Sequence, residues 1–211
     1  MGRILTRANS DHRLWHSGWR VVALGFIFFA DQAAASGSRF WLPQIVQGMG
    51  FSNLITGVIV ALPFVVAMGV MFLWGRSSDV KGERVWHVAI PLLLTGLGFV
   101  VASLTSSNFV ALLALSVSMI CPLMFLGPFW GLNSSFLGGR AAAGAIALVS
   151  AVGSLGGFVG PNVVGVLKEG TGSYGPGMIA LALALAASAA TVFMLGRAIR
   201  ARGPELARQD A

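Results

Sequence analysis

Six apolar runs separated by short polar interruptions organise the 211-residue chain. They cover residues 20–46, 54–74, 88–104, 109–132, 141–167 and 178–195. Each is close to the length of about 20 residues that a helix needs to cross a hydrocarbon core. Runs this long are helical rather than β in character. In lipid, only helices or closed barrels satisfy the whole backbone. The pattern therefore predicts an all-α membrane protein, a six-transmembrane-helix bundle over 20–197 with polar tails at 1–19 and 198–211. Between runs two and three lies a hydrophilic loop, 75–87. Thr105-Ser106-Ser107 predicts a tight turn between runs three and four, and the Gly- and Pro-containing stretch 170–176 predicts another before run six.

Composition strengthens this reading. Only 10% of residues are charged and 56% are hydrophobic, against about 25% charged in soluble domains. Such a chain cannot cover a water-facing surface, which excludes a soluble globular enzyme, and it is too apolar for a disordered one. The net charge of +7 is not a nucleic-acid footprint, because the basic residues fall in the gaps between apolar runs. Twelve of the fourteen, including Arg3, Arg20, Arg76, Lys81, Arg84, Arg140 and Arg197, fall on one side of a six-span topology, leaving Arg39 and Lys168 on the other. Positive charge accumulates on the cytoplasmic face, so both termini are expected to be cytoplasmic. The Arg-dotted first 20 residues do not read as a signal peptide. The lone Cys121 reads as a small buried hydrophobe.

The most specific motif is Gly75-Arg76-Ser77-Ser78-Asp79-Val80-Lys81-Gly82-Glu83-Arg84, a G-x-x-x-D-x-x-G-x-R loop between two spans. Asp79 is expected just past the end of run two, paired with Arg84 or capping a neighbouring helix. Gly75 and Gly82 are expected to allow close helix approach and a sharp turn. Gly153/Gly157, Gly156/Gly160 and Gly127/Gly131 form G-x-x-x-G pairs that predict tight helix contacts. Pro63, Pro91, Pro122, Pro128 and Pro161 mark expected kinks. His12 and His16 have the spacing of a metal pair but lack an evident third ligand. No nucleophile triad or phosphate loop is present, so the sequence makes no case for an enzyme or a cofactor.

Within run one, Asp31, Gln32 and Arg39 are polar where lipid favours apolar residues. An ionisable residue inside a span is a functional candidate by default: Asp31 for a coupling proton, Arg39 for an anion. Eight helical residues separate the two by about 12 Å, too far for a direct ion pair. Snorkelling of Arg39 to the interface is the plainer alternative.

The loop resembles the signature loop of the major facilitator superfamily. The longer string from Trp74 to His87 resembles the anion:cation symporter branch, with its tartrate- and phthalate-type carriers. Phe40-Trp41-Leu42-Pro43-Gln44-Ile45-Val46, Pro128-Phe129-Trp130-Gly131-Leu132 and Gly153-Ser154-Leu155-Gly156-Gly157-Phe158-Val159-Gly160-Pro161 agree with that branch in order. The resemblance covers about residues 15–200 and matches helices seven to twelve, the second half of a twelve-helix carrier. It implies a transport module of the plasma (inner) membrane for organic anions such as tartrate-like carboxylates or sugar acids. It further implies H+ coupling and alternating access at a site between two bundles.

The resemblance places Trp130 as an apolar wall, Ser150 and Ser154 as hydrogen-bond donors where such carriers usually show two asparagines, and Gly75, Asp79, Gly82 and Arg84 in gating. Asp31, Gln32 and Arg39 stand where helix seven is usually apolar or glycine. The open face of the bundle is expected to carry Asp31, Gln32, Ser150 and Ser154. A complementary six-helix half or a second copy is expected to cover that face. The alternative from another class is a truncated membrane protein that does not transport.

Overall fold

The computed structural model describes residues 2–136 and 142–209, with side chains described for 18–135 and 142–198. Six helices follow one another: α1 (Gly2–Gly48), α2 (Asn53–Lys81), α3 (Val85–Leu104), α4 (Asn108–Phe136), α5 (Ala142–Thr171) and α6 (Gly175–Gln209). All six contain a stretch long and apolar enough to cross a membrane, Gly18–Gly48 in α1 and Gly175–Ala198 in α6. The order of the six runs is thus the order of the helices, and the chain is a polytopic membrane protein.

The helices overrun the apolar runs where polar residues still favour helix. α1 extends from the first run back to Gly2. α2 continues through Arg76, Ser77, Ser78 and Asp79 to Lys81, so the expected loop 75–87 shrinks to Gly82-Glu83-Arg84. Apolar content marks the hydrocarbon slab, whereas a helix ends only where its backbone is stopped. At this end the stop is Gly82, at φ 61°, whose N–H donates to the Asp79 carbonyl at 3.2 Å. Only glycine adopts that left-handed conformation without a steric penalty.

The other turns follow side-chain chemistry. Ser52 caps α2 by accepting from the Ile55 N–H at 3.4 Å. Thr105 accepts from the Ser107 N–H at 3.2 Å, closing the expected α3–α4 turn. The α5–α6 turn uses Gly172 at φ 72°, and Ser173 accepts from the Gly175 N–H at 3.2 Å. All five prolines expected as kinks, and Pro43, lie inside helices that run on past them.

α1 is the centre of the bundle and packs most extensively against α5, while α3 packs on α4 and α6. A ladder of rings, Phe125 on Phe129 at 4.8 Å and Phe129 on Phe28 at 5.2 Å, joins α4 to α1. The α1–α5 contact depends on three glycines. A Cβ on Gly153 would collide with the Phe28 ring, on Gly156 with the Phe29 carbonyl, and on Gly160 with the Ala33 carbonyl and its Cα at 2.7 Å. Two backbones approach this closely only without side chains between them.

Two of the expected glycine roles differ. A Cβ on Gly127 would meet nothing within 4 Å, and Gly131 makes room for the Arg84 guanidinium, whose Nε would lie 3.0 Å from an added Cβ. Among the described residues of this bundle the Gly127/Gly131 pair is therefore not a helix–helix contact.

Coverage is uneven. In the most apolar stretch of α1, 67% of positions are buried, but in those of α2 and α5 only 17% are. Leu54, Val58, Leu62 and Phe72 of α2 and Leu148, Leu155 and Phe158 of α5 project outward. These two helices carry the faces that the bundle itself leaves open.

Candidate functional site

The polar residues of α1 do not share the open face. Asp31 is 2% exposed, and its Oδ2 is buried with no hydrogen-bond partner among the described residues. The expectation that Asp31 lies on the open face is therefore corrected: α1 is the most enclosed helix, so one of its turns directs this carboxyl into the bundle. Gln32, one residue on and about 100° around the helix, is half-buried. Together with Ser38 and Arg39 it lines a niche of about 20 Å³ between α1, Phe64 of α2 and Met119 and Leu126 of α4. That is room for about one water. Arg39 is exposed, and its Nε donates to the Ala35 carbonyl at 2.9 Å. Ser38 donates to Ala34 at 2.9 Å, so both turn partly back onto their own helix.

α5 presents the polar positions that are open. Ser154 is exposed and donates to the Ser150 carbonyl at 2.8 Å, while Ser150 is half-buried. Two further turns along the same stripe, Asn162 is exposed and its Nδ2 donates to the Phe158 carbonyl at 2.6 Å. Ser150, Ser154, Phe158 and Asn162 recur every four residues, so they form one stripe. The glycines at 153, 156 and 160 hold the neighbouring stripe against α1 and thereby set how α5 is rotated.

Trp130 is half-buried and meets Phe28 edge-on at 5.3 Å. Phe28 in turn lies over Gly153. Trp130 thus reaches α5 at Gly153, next to Ser154, through one intervening ring.

The signature loop is a clasp between three helices. Arg84 donates from Nη1 to the Gly131 carbonyl and to the Ser135 hydroxyl at 2.8 Å, tying the start of α3 to the end of α4. Arg84 makes no ion pair with Asp79, contrary to expectation; Asp79 lies in the last turn of α2 with its carboxylate exposed. The reason is the helical continuation of α2, which leaves Gly131 and Ser135 within the guanidinium's reach. Gly82 performs its expected turn, but a Cβ on Gly75 would meet nothing within 4 Å, so within this bundle Gly75 does not serve a close approach.

Loss of the Arg84 fork in Arg84→Ala is expected to cost about 1–3 kcal/mol. Asp79→Asn, on an exposed side chain, should stay within about 0.5 kcal/mol. Thermal unfolding of the purified variants in detergent checks both. Equal losses would mean that Asp79 has a structural role in this bundle.

Sequence reasoning passed over His87. It is buried at the start of α3; its Nδ1 lies 3.3 Å from Glu83 and its Nε2 3.2 Å from Ser77. Its carbonyl accepts from Trp74 Nε1 at 2.9 Å, and Glu83 caps α3 at the Trp86 N–H. The i, i+4 spacing of Glu83 and His87 was the available signal. Asn133 was also missed: it is fully buried, and neither polar atom of its amide has a partner among the described residues. At the opposite end, Lys168 donates to the Tyr174 hydroxyl at 2.7 Å and lies 5.0 Å from the Trp41 ring.

Among the described residues no group of three His, Cys, Asp or Glu could hold a metal ion. His12, His16 and Arg140 lie outside the residues whose side chains are described.

A six-span helical bundle with polar side chains along one uncovered helix defines one half of a two-bundle membrane carrier fold. The chain belongs to the Major Facilitator Superfamily, whose model matches residues 3–161. It is 38% identical to an Agrobacterium vitis protein named "Putative tartrate transporter", over 89% of this chain and 43% of that protein. It is 30% identical to the quinolone resistance transporter of Acinetobacter baumannii, over 79% of this chain and 38% of that protein. It is 34% identical to the inner membrane transport protein RhmT of Escherichia coli K12, over 67% of this chain and 33% of that protein. The chain spans less than half the length of these curated relatives.

Proposed function

We propose that this chain is the substrate-facing second bundle of a secondary carrier for small organic anions, tartrate-like carboxylates or sugar acids, driven by the proton gradient. The observation that carries the reading is the uncovered α5 stripe, where Ser154 and Asn162 stand exposed among apolar residues. Polar groups facing hydrocarbon are costly, so a second bundle is their natural cover, and a midplane cavity between bundles is where such folds bind substrate.

In this arrangement Ser150, Ser154 and Asn162 supply hydrogen bonds to a carboxylate or hydroxyl, and Trp130 is an apolar wall behind them. Asp31 is the coupling-proton site, because it is the single acid in the six apolar runs of the sequence and its Oδ2 has no competing partner among the described residues. Gln32 and Arg39, by the niche for one water, connect the α1–α2–α4 side with the outer face. Asp79, free of Arg84, is left to engage the covering bundle, with Gly75 and Gly82 on either side. Both termini are cytoplasmic in this reading, by the charge asymmetry, and the host is the plasma (inner) membrane.

Uptake of labelled dicarboxylates and sugar acids by vesicles tests the reading. Vesicles with this 211-residue polypeptide alone should show no saturable uptake; co-expression with a complementary six-helix half should restore it. Uptake by the polypeptide alone would instead establish a working homodimer. The same α5 stripe favours that rival, since a second copy also covers it. A Ser154→Cys variant that crosslinks to itself in the membrane would identify it.

A further inference from the structure

We infer that the seam between the start of α3 and the end of the apolar stretch of α6 is a binding site for an anionic phospholipid of the cytoplasmic leaflet. A cavity of about 350 Å³ opens there, lined by Val85, Trp86, Phe193, Gly196 and Arg197. Pockets of about 300–1,000 Å³ hold small ligands, so the space suits a phosphoglycerol group and its first methylenes, and it is too small for a folded partner.

The walls divide by chemistry. Trp86 and Phe193 meet edge-on at 4.8 Å and form an apolar side. Trp86 remains 51% exposed, as an interfacial tryptophan does at the headgroup level. Gly196 forms the floor: a Cβ there would lie 2.9 Å from both Val85 methyls, so glycine keeps the two helices close beneath the opening. Arg197 is exposed and makes no hydrogen bond or ion pair with the described residues. Among the described residues nothing competes for its five donors, and a guanidinium binds phosphate in a forked geometry.

Position selects the occupant. α3 packs chiefly on α4 and α6, away from the open faces of α2 and α5, so the seam stays turned to lipid when a second bundle docks. Arg197 shares its end of the bundle with Arg76, Lys81 and Arg84. Anionic lipids of the cytoplasmic leaflet are drawn to such basic pockets between helices.

The test is native mass spectrometry of the purified chain in mixed micelles of phosphatidylglycerol and phosphatidylcholine. The wild type should retain phosphatidylglycerol over phosphatidylcholine by about fivefold. Arg197→Gln should bring that ratio near one, and Trp86→Ala should reduce retention of both lipids. Lys81→Gln, at an exposed charge of the same end of the bundle outside the lining named above, should keep the wild-type ratio. Circular dichroism and thermal unfolding confirm that each variant is folded, so a misfolded variant is replaced by Arg197→Lys, for which a partial loss is expected. An unchanged ratio in Arg197→Gln overturns the site. An equal fall in Lys81→Gln overturns it in favour of diffuse electrostatics at this end of the bundle, and displacement by millimolar inorganic phosphate in favour of a free-anion site.

Discussion

Gly160→Leu should abolish the folded bundle. The α1–α5 contact is the most extensive in the molecule, and any Cβ at this position enters the space of the Ala33 backbone. Backbone cannot rotate aside as a flexible side chain can. Overpacking of a core costs about 1–3 kcal/mol, occasionally more, and here two helices must separate to absorb it, so about 3 kcal/mol or above is expected. The separation would also expose Phe28 and Phe129. Gly127→Leu, whose added Cβ meets nothing within 4 Å, should be tolerated. Membrane-fraction yield and thermal unfolding of the two variants, side by side, decide the matter. Comparable loss in both would mean that helical propensity at glycine positions, and not the close approach, sets the effect.

Asp31→Asn should separate proton-driven accumulation from passive exchange. The substitution keeps the shape and the hydrogen-bonding oxygen but cannot exchange a proton. In vesicles carrying this chain with a complementary half, gradient-driven uptake should fall at least about tenfold, which corresponds to roughly 1.4 kcal/mol. Exchange of labelled for unlabelled substrate across the membrane should continue near the wild-type rate. Equal loss of both activities at matched membrane levels would make Asp31 a structural or substrate group. Intact accumulation would assign coupling elsewhere. Arg39→Gln serves as the comparison: Arg39 is exposed and bonded to its own helix, so its loss should alter apparent affinity for the anion more than coupling.

The open faces of α2 and α5 link these expectations. A bundle that buries only 17% of positions along the most apolar stretch of each of these two helices leaves Leu, Val and Phe to lipid at little cost, because the bilayer solvates them as well as a protein core does. Hydrophobicity therefore does not specify what covers α2 and α5, and on α5 the exposed polar interruptions are Ser154 and Asn162. The same physics explains why α5 makes the most extensive helix contact of the bundle, with α1, and is still one of its most exposed helices. Its glycine stripe locks one side to α1, and its Ser and Asn stripe, displaced around the helix, faces the other way.

The sequence by itself determined the number and order of the helices, since a run of about 20 apolar residues has one stable conformation in hydrocarbon. It also determined the turns at Thr105–Ser107 and Gly82, the family, and the glycine stripe of α5. These are local properties, written in hydropathy, φ preference and contiguous motifs.

What only the tertiary structure decided is which way each polar side chain faces. Asp31 and Gln32 are neighbours in sequence, yet one points into the bundle and the other into a niche beside α2 and α4, because adjacent helical residues diverge by about 100° and the rotation of α1 is fixed by its partners. Arg84 is bonded to Gly131 and Ser135, 47 and 51 positions away, and no local spacing reveals that choice over Asp79. Lipid makes this ambiguity sharper than water would. When the outside is as apolar as the inside, burial no longer sorts residues by hydrophobicity, and rotation is left to close backbone contacts and a few hydrogen bonds that depend on the whole bundle.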